Sequence, residues 1–384
     1  MVKSNDVLRQ ITAQIYQRRP TMSNDLRTNY RIERVNGGLL CDLWFLTSGC
    51  IHDRQGGCTM CNYGKAGKHI EQQRILSELG HIVKELPLEF EDFLLTPSGS
   101  MLDQREVPTE MCESLIHLLK NVKTQRFIIE TRVDTITPAS LDFMHRFLPD
   151  SKKYIEIGVE TSNDWILKHC VNKNATYRMF QQAVKTIHRE KMYVTANIGL
   201  GFPFISERAS IYDAVRSIKT VLADGSDSVV VFPYHIKSGT LLEVMHRHSM
   251  YQCVSLWALV EVLSSFSADE LQNIQISWYK DYFGEVRSHI CHSPGTCPQC
   301  KNDVLRLLDE YRNRQDPEII VQLKNYPCQC HDKWREQLES QAKDVELQLV
   351  EKYYRKLAEL FHISKETLEQ ELIMMRDEFA RNLI

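Results

Sequence analysis

Eight of the chain's twelve cysteines fall into two groups, and both groups have metal-ligand spacing. Cys50, Cys58 and Cys61 follow a C-x7-C-x2-C pattern with Gly56 and Gly57 between the first two. Three thiolates are one short of a closed tetrahedral site. They suit a [4Fe–4S] cluster, which normally takes four cysteines, because three leave one iron open to something other than protein. A C-x2-C pair plus a third thiolate from the preceding loop can surround such a cube, and the paired glycines let backbone wrap closely around a bulky cofactor. Zinc at the same place would need a fourth ligand, for which His52 and His69 are available.

The second group is Cys297-Pro-Gln-Cys300 and Cys328-Gln-Cys330, with Cys291, His292 and His331 close by. Four thiolates at this spacing serve either a structural zinc ion or an auxiliary iron–sulfur cluster. Either metal explains how a strand-poor segment folds at all. The remaining cysteines, Cys41, Cys112, Cys170 and Cys253, lie singly in apolar or helical surroundings and read as small core hydrophobes.

The elements that must position these groups follow from periodicity. β-branched and aromatic runs at 40–47, 92–96, 126–132, 154–160, 193–199 and 228–234 alternate with helical patterns, the signature of βαβ units and a parallel sheet. Six such units fit an α/β fold built as a partial (β/α)6 TIM-like barrel, with a seventh run at 274–279 closing its edge. Chemistry in such folds gathers on the loops after the strands. The first cysteine group follows the first strand, Ser98-Gly99-Ser100 the second, and Gly199 to Gly201 the fifth.

The expected organisation is a helical lead-in ending in a polar connector at 1–36 and the barrel at 37–280. A Cys-rich subdomain at 281–335 and a helical tail at 336–384 follow. The tail's apolar stripe, including Val350, Tyr354, Leu357 and Phe361, suits a docking or dimer face for a partner protein, or a bundle closing the barrel bottom. Ser364 is placed to cap its last helix.

Formal charge is −3 over 384 residues, so a nucleic-acid partner needs a local basic patch. No apolar run approaches the roughly 20 residues of a membrane span. Lys3, Asp6 and Arg9 stand where a signal core would be apolar, and the expectation is a cytoplasmic protein.

A three-cysteine loop after the first strand of a partial barrel resembles the radical S-adenosylmethionine (SAM) superfamily. Further segments narrow the resemblance to the radical-SAM subunit of archaeosine synthase and its relatives. They are Gly56-Gly57-Cys58-Thr59-Met60-Cys61-Asn62-Tyr63, Ser98 to Asp103 with Glu106, Glu130-Thr131-Arg132, Gly158-Val159-Glu160-Thr161, Gly239-Thr240, Thr296 to Cys300, and Cys328 to Trp334. The resemblance implies a catalytic [4Fe–4S] cluster on Cys50, Cys58 and Cys61. It also implies SAM chelated at the open iron, reductive cleavage to a 5′-deoxyadenosyl radical, and hydrogen abstraction from substrate. The spacing departs from the superfamily's commonest C-x3-C-x2-C.

Carried over by position, Ser98, Gly99 and Ser100 would face the methionine part of SAM. Arg132 and Glu160 would contact SAM or pair with each other, and Gly199 and Gly201 would admit the adenine. His235 and Lys237, ending the sixth strand, are substrate candidates. The family's reaction implies C–N cleavage on a lysine-modified deazaguanine in tRNA. Relatives of this build in small-molecule biosynthesis fit the charge better. Reduction implies an electron donor of flavodoxin or ferredoxin type. The competing readings are transfer of SAM's 3-amino-3-carboxypropyl group, a non-catalytic tRNA-binding subunit, and a zinc scaffold.

Overall fold

The computed structural model describes residues 6–19, 27–65, 71–87, 89–282 and 289–382, so His69 lies outside the described residues. The strands are β1 (Thr28–Val35), β2 (Gly38–Phe45), β3 (Glu89–Pro97), β4 (Lys123–Thr131), β5 (Lys152–Glu160), β6 (Tyr193–Leu200), β7 (Ser228–Pro233), β8 (Ile236–Lys237), β9 (Ile274–Ile276) and β10 (Ile290–His292). Helices of eight residues or more are α1 (Asp6–Arg18), α2 (Gln72–Glu85), α3 (Thr109–Leu119), α4 (Tyr177–Arg189), α5 (Glu207–Ala223) and α6 (Leu256–Leu263). The C-terminal set is α7 (Lys301–Arg314), α8 (Pro317–Lys324), α9 (Gln329–Glu339), α10 (Leu347–Leu360) and α11 (Lys365–Asn382).

One sheet runs in the order β1-β2-β3-β4-β5-β6-β7-β9. From β2 to β9 it is parallel, with the six expected strands and the seventh at the edge. Side chains from β2 through β9 line a single cavity, so the sheet curls into a half-barrel.

Its outer face follows the hydrophobic alternation of buried strands. Leu43, Phe93, Leu95, Phe127, Ile129, Ile155, Ile157, Val194 and Val229 are buried under the helices, and Phe93, Phe127 and Phe147 stack in series. Truncating one such ring to alanine costs about 3–5 kcal/mol. The alternate positions point inward and are polar, among them Asp42, Asp92, Arg126, Glu130, Glu156 and Asn197.

Two expectations are corrected. Residues 28–35 form a strand, β1, antiparallel to β2, where a polar connector was expected. Asn36 and Gly37, both at positive φ, make the two-residue turn between them, and Asn-Gly is the strongest short hairpin signal. The tail lies at the mouth of the barrel, not its bottom. α1, α10 and α11 share a core with Phe202, Phe204 and Tyr234 from the loops after β6 and β7, and Cys58 and Met60 pack against it. Val350, Tyr354 and Leu357 are spent on this core, which leaves Leu360 and Ile373 as the exposed large apolar side chains among the tail's described residues. Ser364 accepts from the Thr367 amide, as a cap should. No helix among the described residues is long and apolar enough to cross a membrane.

Candidate active site and metal-binding groups

The first cysteine loop leaves β2 and is pinned from two sides. Cys50 caps the short helix Ile51–Arg54. Asn172 donates from Nδ2 to the carbonyls of Gly56 and Gly57 at 2.9 and 2.8 Å. Thr59 donates its amide to Val171 and its hydroxyl to Cys170. Arg19 clamps buried Asp53 with two bonds and the Cys61 carbonyl with a third at 2.9 Å. A Cβ on Gly56 would sit 2.4 Å from the Arg9 carbonyl of α1, so this glycine is required for packing against protein.

Cys50, Cys58 and Cys61 all line the cavity. Burial pushes the three thiols up, Cys61 to about 12. Arg132 opposes this at Cys50 while Glu106 and Asp53 add to it, and Lys173 opposes it at Cys58 while Cys61 and Glu160 add to it. At Cys61, Asp53 adds more than Lys237 takes away. Arg132 Nη1 stands 3.5 Å from Cys50 Sγ. Three half-buried thiols that share the cavity lining with Arg132, Lys173 and Lys237 fit an anionic metal–sulfur group whose charge the protein must balance.

Arg132 and Glu160 are not partners, contrary to one expectation. Arg132 pairs with Asp103 at 2.5 Å and with Glu106, and Glu106 also accepts from the amides of Ile51 and Ser100 at 2.8 and 2.7 Å. Glu160, at φ 69°, accepts from Lys173 at 2.7 Å and from the Tyr234 hydroxyl at 2.8 Å. Each stands in its own network, Arg132 beside Cys50 and Glu160 with Lys173 and Tyr234. Lys173 carries no periodic or motif signal and escapes sequence reading, whereas Asp103 and Glu106 stand inside a quoted segment.

Gly99, Ser100, Arg132 and Glu160 line the cavity. Ser98 does not, because its hydroxyl accepts from the Thr47 amide at 2.8 Å. Gly199 and Gly201 are not among the residues that line the cavity. A Cβ on Gly199 would meet the Tyr234 hydroxyl at 2.5 Å, and one on Gly201 would meet Val254 at 2.9 Å. His235 and Lys237 both reach the cavity with Trp278 between them. Burial lowers His235 to about 4, so its ring is neutral, and it bonds Ser293 Oγ and the Trp278 carbonyl.

The cavity measures about 600 Å³. Deep in it, Glu130 and Glu156 are register partners on β4 and β5. Burial, and then the charge of Glu130, pushes Glu156 up to about 8. The Oδ1 of Asn197 and the Oε1 of Gln275 are buried there without a hydrogen-bond partner. Such a chamber can hold a polar, hydrogen-bonding molecule.

The second group has a different geometry. Cys297, Cys300, Cys328 and Cys330 place their sulfurs within 4.8 Å of one another, and Cys50, Cys58 and Cys61 are not drawn together in this way. Cys291 is exposed, and His331 stacks on Trp257 with ring centroids 4.0 Å apart.

Half-barrel, three-thiol loop and polar chamber together make a partial (β/α) barrel with a candidate metal-binding active site on its cavity wall. In sequence, the chain is similar to archaeosine synthase subunit beta of Methanosarcina acetivorans, 26% identical over 300 residues, covering 77% of this chain and 84% of that protein. The same subunit of Thermococcus kodakarensis is 26% identical over 309 residues, 78% of this chain and 92% of the relative. No family model matches. Among solved structures, an N-terminally deleted Elp3 of Methanocaldococcus infernus superposes with a TM-score of 0.47 at 16% identity, over 64% of this chain and 58% of that one.

Proposed function

We propose that the chain is a radical SAM enzyme that cleaves SAM reductively and acts by hydrogen abstraction on a polar, modified deazaguanine-type nucleoside, ending in C–N bond cleavage. The observation that carries this reading is the cavity wall, which Cys50, Cys58 and Cys61 line together with Arg132, Lys173 and Lys237. When bound, a [4Fe–4S] cluster on Cys50, Cys58 and Cys61 supplies the electron that cleaves SAM, and the protein supplies orientation and exclusion of water. Arg132, Lys173 and Lys237 balance negative charge on that side of the cavity. Asp103, Glu106 and Glu160 lock the first two in place.

Gly99 and Ser100 present loop surface on the same wall as Arg132, suited to a zwitterionic amino acid group. On the same lining, Glu130, Asn197 and Gln275 offer acceptors and the protonated Glu156 a donor, a set suited to a polar substrate such as a base edge or an amine. Lys237 and His235 stand at the rim beside Trp278. The similarity to subunits of archaeosine synthase supports a tRNA-borne substrate and a partner subunit. An electron donor of flavodoxin or ferredoxin type completes the system.

The test is anaerobic incubation of the full chain with SAM and dithionite, followed by separation of nucleoside products. The expected product is 5′-deoxyadenosine. Accumulation of 5′-methylthioadenosine instead would overturn hydrogen abstraction in favour of 3-amino-3-carboxypropyl transfer, and intact SAM would overturn the enzyme.

A further inference from the structure

The Cys-rich segment leaves two questions, what it binds and why it sits where it does. Sulfur-to-sulfur distances answer the first. Cys297 is 3.5 Å from Cys300 and 3.6 Å from Cys328, Cys300 is 3.5 Å from Cys330, and Cys328 is 3.4 Å from Cys330. Around one zinc ion, bonds of about 2.3 Å at tetrahedral angles separate the thiolates by about 3.8 Å. A polynuclear cluster spreads its ligands further, because each iron takes its own thiolates and the irons are themselves apart. Four sulfurs all within 4.8 Å leave room for one ion at their centre and none for a cube. Trp257 Nε1 stands 3.4 Å from Cys330 Sγ, a donor aimed at sulfur that suits a thiolate.

The second answer comes from the seam of the half-barrel. β1 and β9 end the sheet and do not pair with each other. α7 begins at Cys300, its N-cap, and its far end lies across that gap. Arg312, about 18 Å along the helix from Cys300, bonds the Ile276 carbonyl of β9 and pairs with Glu33 of β1. The Tyr311 hydroxyl donates to the Ile274 carbonyl at 2.9 Å, and the Asn36 amide donates to the Arg312 carbonyl at 3.0 Å. At the other end, Cys328 caps α9, and Trp334 of α9 bonds Glu207 of α5 at 3.1 Å.

We propose that Cys297, Cys300, Cys328 and Cys330 hold a single zinc ion, and that this ion anchors α7 so that the helix closes the open seam between β1 and β9. The site is architectural and carries no electrons. It is independent of what the first cysteine loop binds.

The test uses the full chain with Cys50, Cys58 and Cys61 all replaced by alanine, purified without oxygen from cells supplied with both iron and zinc. The expected content is about one zinc per chain with background iron and sulfide. Iron and sulfide retained at cluster stoichiometry, a single iron ion, or no metal would each overturn the zinc assignment.

The seam is read separately by hydrogen exchange on Cys328→Ser. Exchange is expected to rise several-fold in 28–45, 274–276 and 301–314 while β4 to β6 keep their protection. Faster exchange confined to 291–340 would overturn the seam role. Should that variant precipitate, the same map is taken on the wild-type chain after a chelator has drawn off its zinc, with the same two outcomes.

Discussion

The molecule contains two cysteine groups built from one residue type to opposite designs. Cys297, Cys300, Cys328 and Cys330 converge on a point outside the barrel, two of them capping helices. Cys50, Cys58 and Cys61 line the cavity without converging, in company with Arg132, Lys173 and Lys237. A closed group satisfies its metal with protein alone, whereas an open one leaves a coordination position for something that enters the cavity. The difference teaches that cysteine count and spacing announce a metal, but the neighbours decide whether that metal is scaffold or reagent.

The largest effect expected is from Cys58→Ala. It removes the central thiol of the open group, so iron content and 5′-deoxyadenosine formation fall to background while zinc stays near one per chain. Metal analysis and product chromatography read both, and equal loss of zinc would erase the contrast between the groups.

Lys173→Met comes next. It strands buried Glu160 without its cation, which costs about 3 kcal/mol because breaking a buried pair leaves an uncompensated charge. Thermal unfolding should show this loss, and iron retention should drop while zinc does not.

Glu156→Gln leaves both metals alone and reports on the polar chamber that the first group lines. Its carboxyl is raised from 4.5 to about 8, with Glu130, Asp42 and Arg312 as the charges that face it. The folded chain therefore holds a proton that the unfolded chain releases. This group's stabilising contribution is full below 4.5 and lost as pH rises through about 8. Melting temperature of the wild type should decline relative to the Gln variant across that window. Parallel curves would show that the chamber does not hold the proton.

Smallest is Glu378→Gln in α11. His169 and Lys168 hold the Glu378 carboxylate down at about 2, so its contribution is present above 4.5 and lost as pH falls towards 2. The pair is partly exposed, and below about 1 kcal/mol is expected near neutrality. Acid-melting curves measure it.

The parallel strands were legible in the sequence because their outward residues are Val, Ile, Leu and Phe in tight runs. The two cysteine groups were legible because thiols in Gly- and Pro-bearing loops have few other uses. β1 was not read, although Asn36-Gly37 announced its turn. Its alternation is weak because its outer face carries Tyr30 and Ile32 in exposed positions.

Arg132 and Glu160 stand in separate networks, where a mutual pair was one of two expectations. Pairings across loops depend on where strands end in space, which spacing along the chain does not encode. Gly199 carries a signal of a related kind. A glycine reports that something approaches closely, and here the approaching group is the Tyr234 ring. The tail's destination was hidden because an apolar stripe says that a helix docks but not against what.

The central claim is that one group is open and catalytic while the other is closed and structural. The most direct measurement is iron, acid-labile sulfide and zinc per chain in the wild-type protein purified without oxygen. The account predicts about four iron, four sulfide and one zinc. About eight iron and eight sulfide with no zinc would contradict the closed group, and zinc alone would contradict the open one.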